Sequence, residues 1–373
     1  AFALMTWLCV FSGPILILVS AIINGNPIQY ILSANFYSWL TLIYLGFFMQ
    51  PVAYGAWYYV LGRYEVNKII LETLETDSSL VTDLSSHIIQ AGGKRIRPLL
   101  TLATSKLCGY SGKRHLSLAS VIEFIHTATL LHDDVVDSSK KRRGKKTANF
   151  IWGNKSSILV GDFLLSRAFK LLVNDGSLKC IDIISNVSEK ISFGEVKQLM
   201  SVGKLNISES DYLEIIKYKT AELFSAACQL SSEISEINEN KKKSLKDFGH
   251  FLGISYQIVD DTLDYFSEEK VSGKEIGNDF KENKMTLPLI LVFNRGNKKE
   301  KSFITHLIEK KKLDACNFNW IIEKMNKYNV LNDCLQKAKH FSIMAKDSLG
   351  TFSDNEDKKK LINLVDFLIN RKK

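Results

Sequence analysis

The chain has 373 residues, 46% of them apolar, and carries 49 Lys and Arg against 40 Asp and Glu, for a formal charge of +9. That composition belongs to a folded protein and excludes a disordered tail or a collagen-like repeat. Residues 1–62 contain no Asp, Glu, Lys, Arg or His, so every charge lies beyond Gly62.

Two apolar stretches, Ala1 to Ile23 and Phe36 to Leu61, are separated by the polar link Asn24-Gly25-Asn26-Pro27. Each exceeds the roughly 20 residues that a helix needs to cross a bilayer. A secretory signal would have a basic start, a shorter apolar core and a small-residue cleavage site, none of which is present. Burying more than sixty residues without a charge is uncommon outside lipid, so the expectation is a membrane-inserted helical hairpin over residues 1–62; a pair of buried core helices is the alternative. Arg63 and Lys68 follow the second stretch, and the positive-inside rule would then put the large C-terminal part in the cytoplasm. Six scattered cysteines (Cys9, Cys108, Cys180, Cys228, Cys316 and Cys334) form no Cys-x-x-Cys pair, which fits reduced thiols and suggests neither disulfides nor zinc.

From Val66 onward the apolar period is helical: Ile181, Ile184, Val187 and Ile191 step by three or four, as do Tyr212, Ile215, Lys219 and Leu223 with one polar interruption. Pro98 and Pro288 each sit where a helix can begin. No run of alternating strand residues competes, so the spacing predicts ten to twelve helices in one all-α domain over residues 66–373.

One short acidic pattern occurs twice. His132-Asp133-Asp134-Val135-Val136-Asp137 ends an apolar run that begins near Leu118, and Asp260-Asp261-Thr262-Leu263-Asp264 lies in another. A spacing of i and i+4 puts the outer aspartates of each motif on one helix face, a turn apart. Such hard oxygen donors suit Mg²⁺, whose shell is completed by substrate phosphates and water. A single solvated acidic helix end is commonplace, but with 20 Asp in the chain one chance match is expected only about 0.06 times, and two far less often. Paired acidic clusters repel, and divalent metals bridging a diphosphate relieve that cost. The anion then needs cations. Gly92-Gly93-Lys94-Arg95-Ile96-Arg97-Pro98 offers three bases at a helix start, Arg142-Arg143-Gly144 follows the first motif, and Lys219-Thr220, Lys274 and Lys284 flank the second. Lys140 to Lys146 could be a nucleic-acid patch, but no aromatics are interleaved to stack bases, so a diphosphate is the better partner.

The motif set GGKRIRP, FIHTATLLHDDVVD, RRG, GNKSSILVGDFLLSRAF, GEVKQL, KTAELFSAAC, YQIVDDTLD and NKMTLPL resembles that of the trans-isoprenyl diphosphate synthases of the long-chain polyprenyl type, over nearly all of residues 66–373. The resemblance implies the isoprenoid synthase fold, an all-α helical bundle around a central cavity, usually homodimeric, with the two acidic motifs facing each other. It implies that Asp133, Asp137 and Asp260 bind a cluster of three Mg²⁺, with Asp134, Asp261 and Asp264 completing the motifs. It places isopentenyl diphosphate on Lys94, Arg97, His126 and Arg143, and an allylic diphosphate such as farnesyl diphosphate on Arg142, Lys219, Lys274 and Lys284. Thr220 and Gln257 match positions lining the reacting carbons, and Glu195 and Gln198 are further pocket candidates.

Ionisation followed by condensation fits these residues: cations stabilise charge growing on the leaving diphosphate, and the double bond of isopentenyl diphosphate attacks the allylic cation. By resemblance the released diphosphate takes the final proton, so His126 and His132 are read as hydrogen-bond donors rather than bases. The growing tail should run back along the helix of the first motif, past Thr129 and Ala128 and then Ile125. Short-chain members of the family that this sequence resembles carry bulky aromatics there as a floor and this sequence does not, so the resemblance implies a product of octaprenyl to decaprenyl length, as used in quinone side chains.

The segment LIYLGFFMQPVAYGAWYYVLGRYEVNK resembles the closing helices of drug/metabolite (EamA-type) transporters, although only about two spans are present. An anchor beside the lipid product and a fused reading frame are both open readings of it. Three rivals to the synthase are a class I terpene cyclase, a non-catalytic partner subunit of a heteromeric synthase, and a transport protein with the soluble part as passenger. The cyclase would replace Asp260–Asp264 with an Asn/Ser/Glu motif, the partner subunit would have degraded motifs, and the transporter would need its missing half.

Overall fold

The computed structural model divides the chain into two units, Ala1–Leu61 and Gly62–Lys373. It describes residues 66, 68–70, 72, 74, 78–90, 95–142, 144–266, 277–310 and 314–371. The predicted hairpin of residues 1–62 lies outside these. Among the described residues no helix is long and apolar enough to cross a membrane.

The described part is helical almost throughout, as the apolar period predicts, with fifteen α-helices where ten to twelve are expected. They are α1 (Ser79–Gln90), α2 (Ile96–Leu107), α3 (Arg114–Val136), α4 (Ala148–Trp152), α5 (Asn154–Asp175), α6 (Leu178–Ser201), α7 (Glu209–Ile216) and α8 (Glu222–Ile234). After these come α9 (Glu239–Phe266), α10 (Asn278–Lys281), α11 (Leu287–Arg295), α12 (Lys298–Glu309), α13 (Ala315–Lys327), α14 (Val330–Ser348) and α15 (Glu356–Ile369). The surplus comes from short pieces such as α4 and α10, whose four or five residues are too few to show a period. Pro288 stands in the first turn of α11, where its missing N–H costs nothing.

The basic run after the first acidic motif forms a two-stranded antiparallel ribbon, β1 (Lys141–Arg142) and β2 (Lys145–Lys146), with Lys141 opposite Lys146. Gly144 turns it at a φ of 76°, a conformation that glycine adopts without strain. So short a ribbon is marginal alone. Side chains tie it down: the Thr147 hydroxyl donates to the Ser139 carbonyl at 2.6 Å, and Arg142 turns inward.

Helix α3 is the central element. From Leu118 to Ile125 every side chain is buried, and so are Thr127, Ala128, Leu131 and Asp134. A helix apolar all round must be wrapped by others, and α2, α5 and α8 pack against it. The second spine is the 28-residue α9. Its first half puts Leu245, Phe248 and Leu252 into one core with α2, α3, α5, α6 and α8. Its second half puts Ile254, Ile258 and Tyr265 into a second core with α7, α11, α12, α13 and α14. At Gly253 an added Cβ would lie 2.5 Å from the Ala221 Cα, so only glycine lets α9 approach the segment that leads into α8 this closely.

Glu300 pins the second core from outside. With Asn297 it forms the capping box of α12, and it also accepts from Lys327 at 2.8 Å and from the Tyr328 hydroxyl at 2.5 Å. The bonds from Lys327 and Tyr328, with the Asn297 amide, hold its carboxyl down at about 2. A depressed carboxylate contributes stability above its unfolded value that is lost as pH falls through the folded one. Urea midpoints of the wild type and Glu300→Gln should therefore differ most above about pH 5 and converge as pH falls below about 3; a constant difference would show that the charge contributes nothing.

Candidate active site

The first acidic motif lies at the C-terminal end of α3, where the Asp137 amide caps onto the Asp133 carbonyl at 2.8 Å. Asp133 and Asp137 share one face, as the spacing predicts. Asp133 Oδ2 lies 3.5 Å from Lys219 Nζ, and Asp137 Oδ2 accepts from Lys284 Nζ at 2.8 Å. Asp134 turns the other way and is buried. Its Oδ1 accepts from Nε and Nη2 of Arg142 at 2.9 and 2.8 Å, and its carbonyl accepts from Asn149 at 3.0 Å. Burial raises the Asp134 carboxyl above its ordinary value even though Arg142 opposes this. Arg142, which the resemblance places on the allylic diphosphate, is thus held against the middle aspartate.

Lys219 and Thr220 sit in a π-helical turn, Lys217–Ala221, between α7 and α8. A π-turn inserts one residue into the helical register and is frequent at functional sites. Gly194 of α6 accommodates it, because a Cβ there would come within 2.9 Å of the Lys219 backbone nitrogen. From this turn Lys219 Nζ donates to Glu195 Oε2 at 2.8 Å and to Gln198 Oε1 at 2.7 Å. Burial works against its charge, but Asp133 and Glu195 raise its pKa, so it remains an ammonium.

The second motif occupies one turn of α9. Asp261 faces inward and is buried, and both its oxygens are taken: Oδ2 accepts from the Tyr212 hydroxyl at 2.6 Å, and Oδ1 from Gln257 Nε2 at 2.7 Å. Gln257 Oε1 accepts in turn from the Thr220 hydroxyl at 2.7 Å. Burial pushes Asp261 up to about 7 despite the bonds from Tyr212 and Gln257. Asp260 faces outward, with 42% of its side chain exposed, and its Oδ1 accepts from Arg371 Nη2 at 2.6 Å. Arg371 lies 3.9 Å over the Tyr256 ring. Asp264 accepts from the Asp279 amide at 2.9 Å. Lys284 closes the set, bound to Glu282 at 2.7 Å as well as to Asp137, and those two acids keep it charged against its burial.

Arg97 of α2 and His126 of α3, both assigned to isopentenyl diphosphate, meet at 3.1 Å, with the guanidinium over Phe224. Arg95 turns away into a buried ion pair with Glu123 that fixes the start of α2 on α3. Lys94, Arg143 and Lys274 lie outside the described residues. Of the chain-length positions, Ile125 and Ala128 belong to the core, while Thr129 is half-buried and donates to the His126 carbonyl at 2.8 Å. His132 leans on α5, 3.3 Å from the Ile158 carbonyl and 3.4 Å from Asp162.

Sequence reasoning missed Tyr212, Arg371, Asn149 and Glu282 as parts of this site. A signal existed for Tyr212, two helical turns before Lys219 on the same stripe, where it reads as one more core residue. None existed for Arg371, whose partner lies 111 residues away.

The donor set of Asp133, Asp137 and Asp260 is entirely carboxylate, the chemistry that magnesium prefers. Among the described residues no three His, Cys, Asp or Glu side chains converge closely enough to hold a metal alone. The residues therefore fit an ion that takes one or two protein carboxylates and completes its shell with substrate oxygens.

The sequence profile of the family described as polyprenyl synthetase matches residues 78–325. The octaprenyl diphosphate synthase of Escherichia coli is 40% identical over 306 residues, 82% of this chain and 94% of that protein. The crystal structure of a decaprenyl diphosphate synthase from Rhodobacter capsulatus superposes with a TM-score of 0.81 at 39% identity, covering 86% of this chain and 99% of that one. A polyprenyl synthase from Caulobacter crescentus, crystallised with calcium and isoprenyl diphosphate, superposes with a TM-score of 0.81 at 40% identity, covering 84% and 95%. A relative described as heptaprenyl diphosphate synthase component 2, from Bacillus subtilis, is 30% identical over 82% of this chain and 87% of its own length. These matches give no support to the likeness between the first 62 residues and drug/metabolite transporters. The chain belongs to the polyprenyl synthetase family.

Proposed function

We propose that this chain is a Mg²⁺-dependent trans-prenyltransferase that condenses isopentenyl diphosphate head-to-tail onto an allylic diphosphate, giving an all-trans polyprenyl diphosphate of octaprenyl to decaprenyl length. The observation that carries this reading is the pair of intact acidic motifs with Lys219 and Lys284 lying against Asp133 and Asp137. The octaprenyl and decaprenyl relatives support the length.

Asp133, Asp137 and Asp260 would hold the metal, whose chemistry is to neutralise charge growing on the leaving diphosphate. Lys219 and Lys284 are pre-placed ammonium groups that can shift from their carboxylate partners to diphosphate oxygens. Arg97 and His126 present donors for the second diphosphate from α2 and α3. When the allylic C–O bond breaks, Thr220 and Gln257 lie beside the cation, with no strong nucleophile among them to trap it. The isopentenyl double bond forms the new C–C bond, and its proton leaves to the released diphosphate. Preorganised charge supplies most of the catalysis, which is why the site is built from ion pairs.

A homodimer would cover the exposed apolar side chains on α5 (Ile158, Leu159, Phe169, Val173) and α6 (Phe193, Val196, Leu199, Met200). The component 2 relative favours a second reading, a catalytic subunit that works with a different partner. Residues 1–62 would then be an anchor or a dispensable fusion.

The deciding experiment incubates the purified full-length chain with isopentenyl and farnesyl diphosphates, with and without Mg²⁺. Metal-dependent formation of long polyprenyl diphosphate is expected, and no turnover in either condition would overturn the homomeric reading. Asp133→Ala should reduce kcat by about 10²-fold or more in a chain that still folds, because it removes charge stabilisation rather than packing and leaves Lys219 its bond to Glu195. Ala128→Phe should shorten the product. Because Ala128 lies in a packed core, Thr129→Phe tests the same wall with less overpacking. Product lengths unchanged in both folded variants would move the tail elsewhere.

A further inference from the structure

The middle aspartate of each motif has a different task from its neighbours. Asp134 and Asp261 are both buried, and each binds partners other than the Lys219, Lys284 and Arg371 that Asp133, Asp137 and Asp260 meet. Asp134 is committed to Arg142. Asp261 is committed to Tyr212 and Gln257, one donor for each oxygen. Both Asp261 oxygens and the Asp134 Oδ1 thus accept from donors inside the protein, which turns these carboxylates to structural partners. Burying them is costly, so the fold must put them to use.

On a helix, neighbouring side chains point about 100° apart, whereas i and i+4 share a face. Fixing the rotation of α9 at Asp261 therefore also fixes Asp260 and Asp264, which share a face turned to one side of it. Two rungs fix it: Tyr212 to Asp261, and Thr220 to Gln257 one turn earlier on α9. Both rungs start from the continuous helical segment of α7 and the π-turn, which also carries Lys219. One connected set of hydrogen bonds thus sets the second motif in register with the lysine that faces the first.

We propose that Tyr212 is a positioning residue for the prenyl transfer: through Asp261 it holds α9 so that Asp260 and Asp264 face the metal and diphosphate. The proposal rests on the reading above, in which Asp260 is a metal ligand. Tyr212 touches neither substrate nor metal and acts only through the carboxylate it donates to.

The test compares the full chain with Tyr212→Phe, which keeps the ring and removes the hydroxyl, and with Asp261→Asn and the double variant. Two readouts are taken: the Mg²⁺ concentration giving half of the rise in melting temperature in the presence of inorganic diphosphate, and the kcat and KM for isopentenyl diphosphate. Loss of a hydrogen bond to a charged group predicts that Tyr212→Phe needs about ten-fold more Mg²⁺ and loses about ten-fold in kcat, with KM unchanged because Arg97 and His126 lie on other helices. If Tyr212 works through Asp261, the double variant is no worse than Asp261→Asn. An unaltered Mg²⁺ requirement in Tyr212→Phe, even with a lower melting temperature, would overturn the proposal. Multiplying effects in the double variant would do the same. Asp260→Ala, run alongside, separates the two levels: a retained Mg²⁺ response there removes the ligand reading itself, whereas a lost response beside an unaltered Tyr212→Phe removes only the positioning role.

Discussion

Like charges brought close together by different helices are the constraint on which the rest of this structure depends. Asp133, Asp137, Glu195, Asp260, Asp264, Asp279 and Glu282 approach the site from four parts of the chain, and such a gathering would push itself apart in a poorly solvated interior. It stands because cations are threaded through it: Lys219 against Asp133 and Glu195, Lys284 against Asp137 and Glu282, and Arg371 against Asp260. Removing one member of such a pair leaves the other uncompensated, so the site behaves as a unit.

That electrostatic arrangement is affordable only on a rigid frame. Helices α3 and α9 carry the motifs; α3 is buried on every side from Leu118 to Ile125, and α9 packs against α8 and α14. The π-turn at Lys217–Ala221 is a local departure from regular helix that the site uses. It is held between Gly194 of α6 and Gly253 of α9, both positions where a side chain would collide with its backbone or with a Cβ on it. Helix packing therefore supplies the precision, and the bulge supplies the direction in which Lys219 points.

The two motifs also share a division of labour that their spelling hides. Read as Asp-Asp-x-x-Asp, each offers three equivalent carboxylates. In the fold, each spends its middle one on an internal donor, Arg142 in the first and Tyr212 in the second. Burial raises the carboxyl of Asp134 and carries that of Asp261 to about 7. Membership of the polyprenyl synthetase family gives this arrangement a use, since a substrate diphosphate and its metal require outward carboxylates held in fixed register.

Local signals carried much of this in the sequence. The helical period named the fold class, because a period of three or four is written by neighbours in the chain. The repeated acidic pattern and the bases of GGKRIRP and KTAEL named the chemistry, because i and i+4 spacing fixes a shared face wherever the helix lies. Short connecting helices escaped, having too few residues to show a period. What only the tertiary structure decided is which charged groups pair. Arg142 faces the candidate substrate site in the sequence yet binds Asp134, Arg371 reaches Asp260 across 111 residues, and Tyr212, one apolar step in a helical stripe, becomes the donor to Asp261. The physical reason is range: periodicity and spacing are properties of one helix, whereas an ion pair or a buried hydrogen bond exists only where packing brings two helices within about 3 Å of each other.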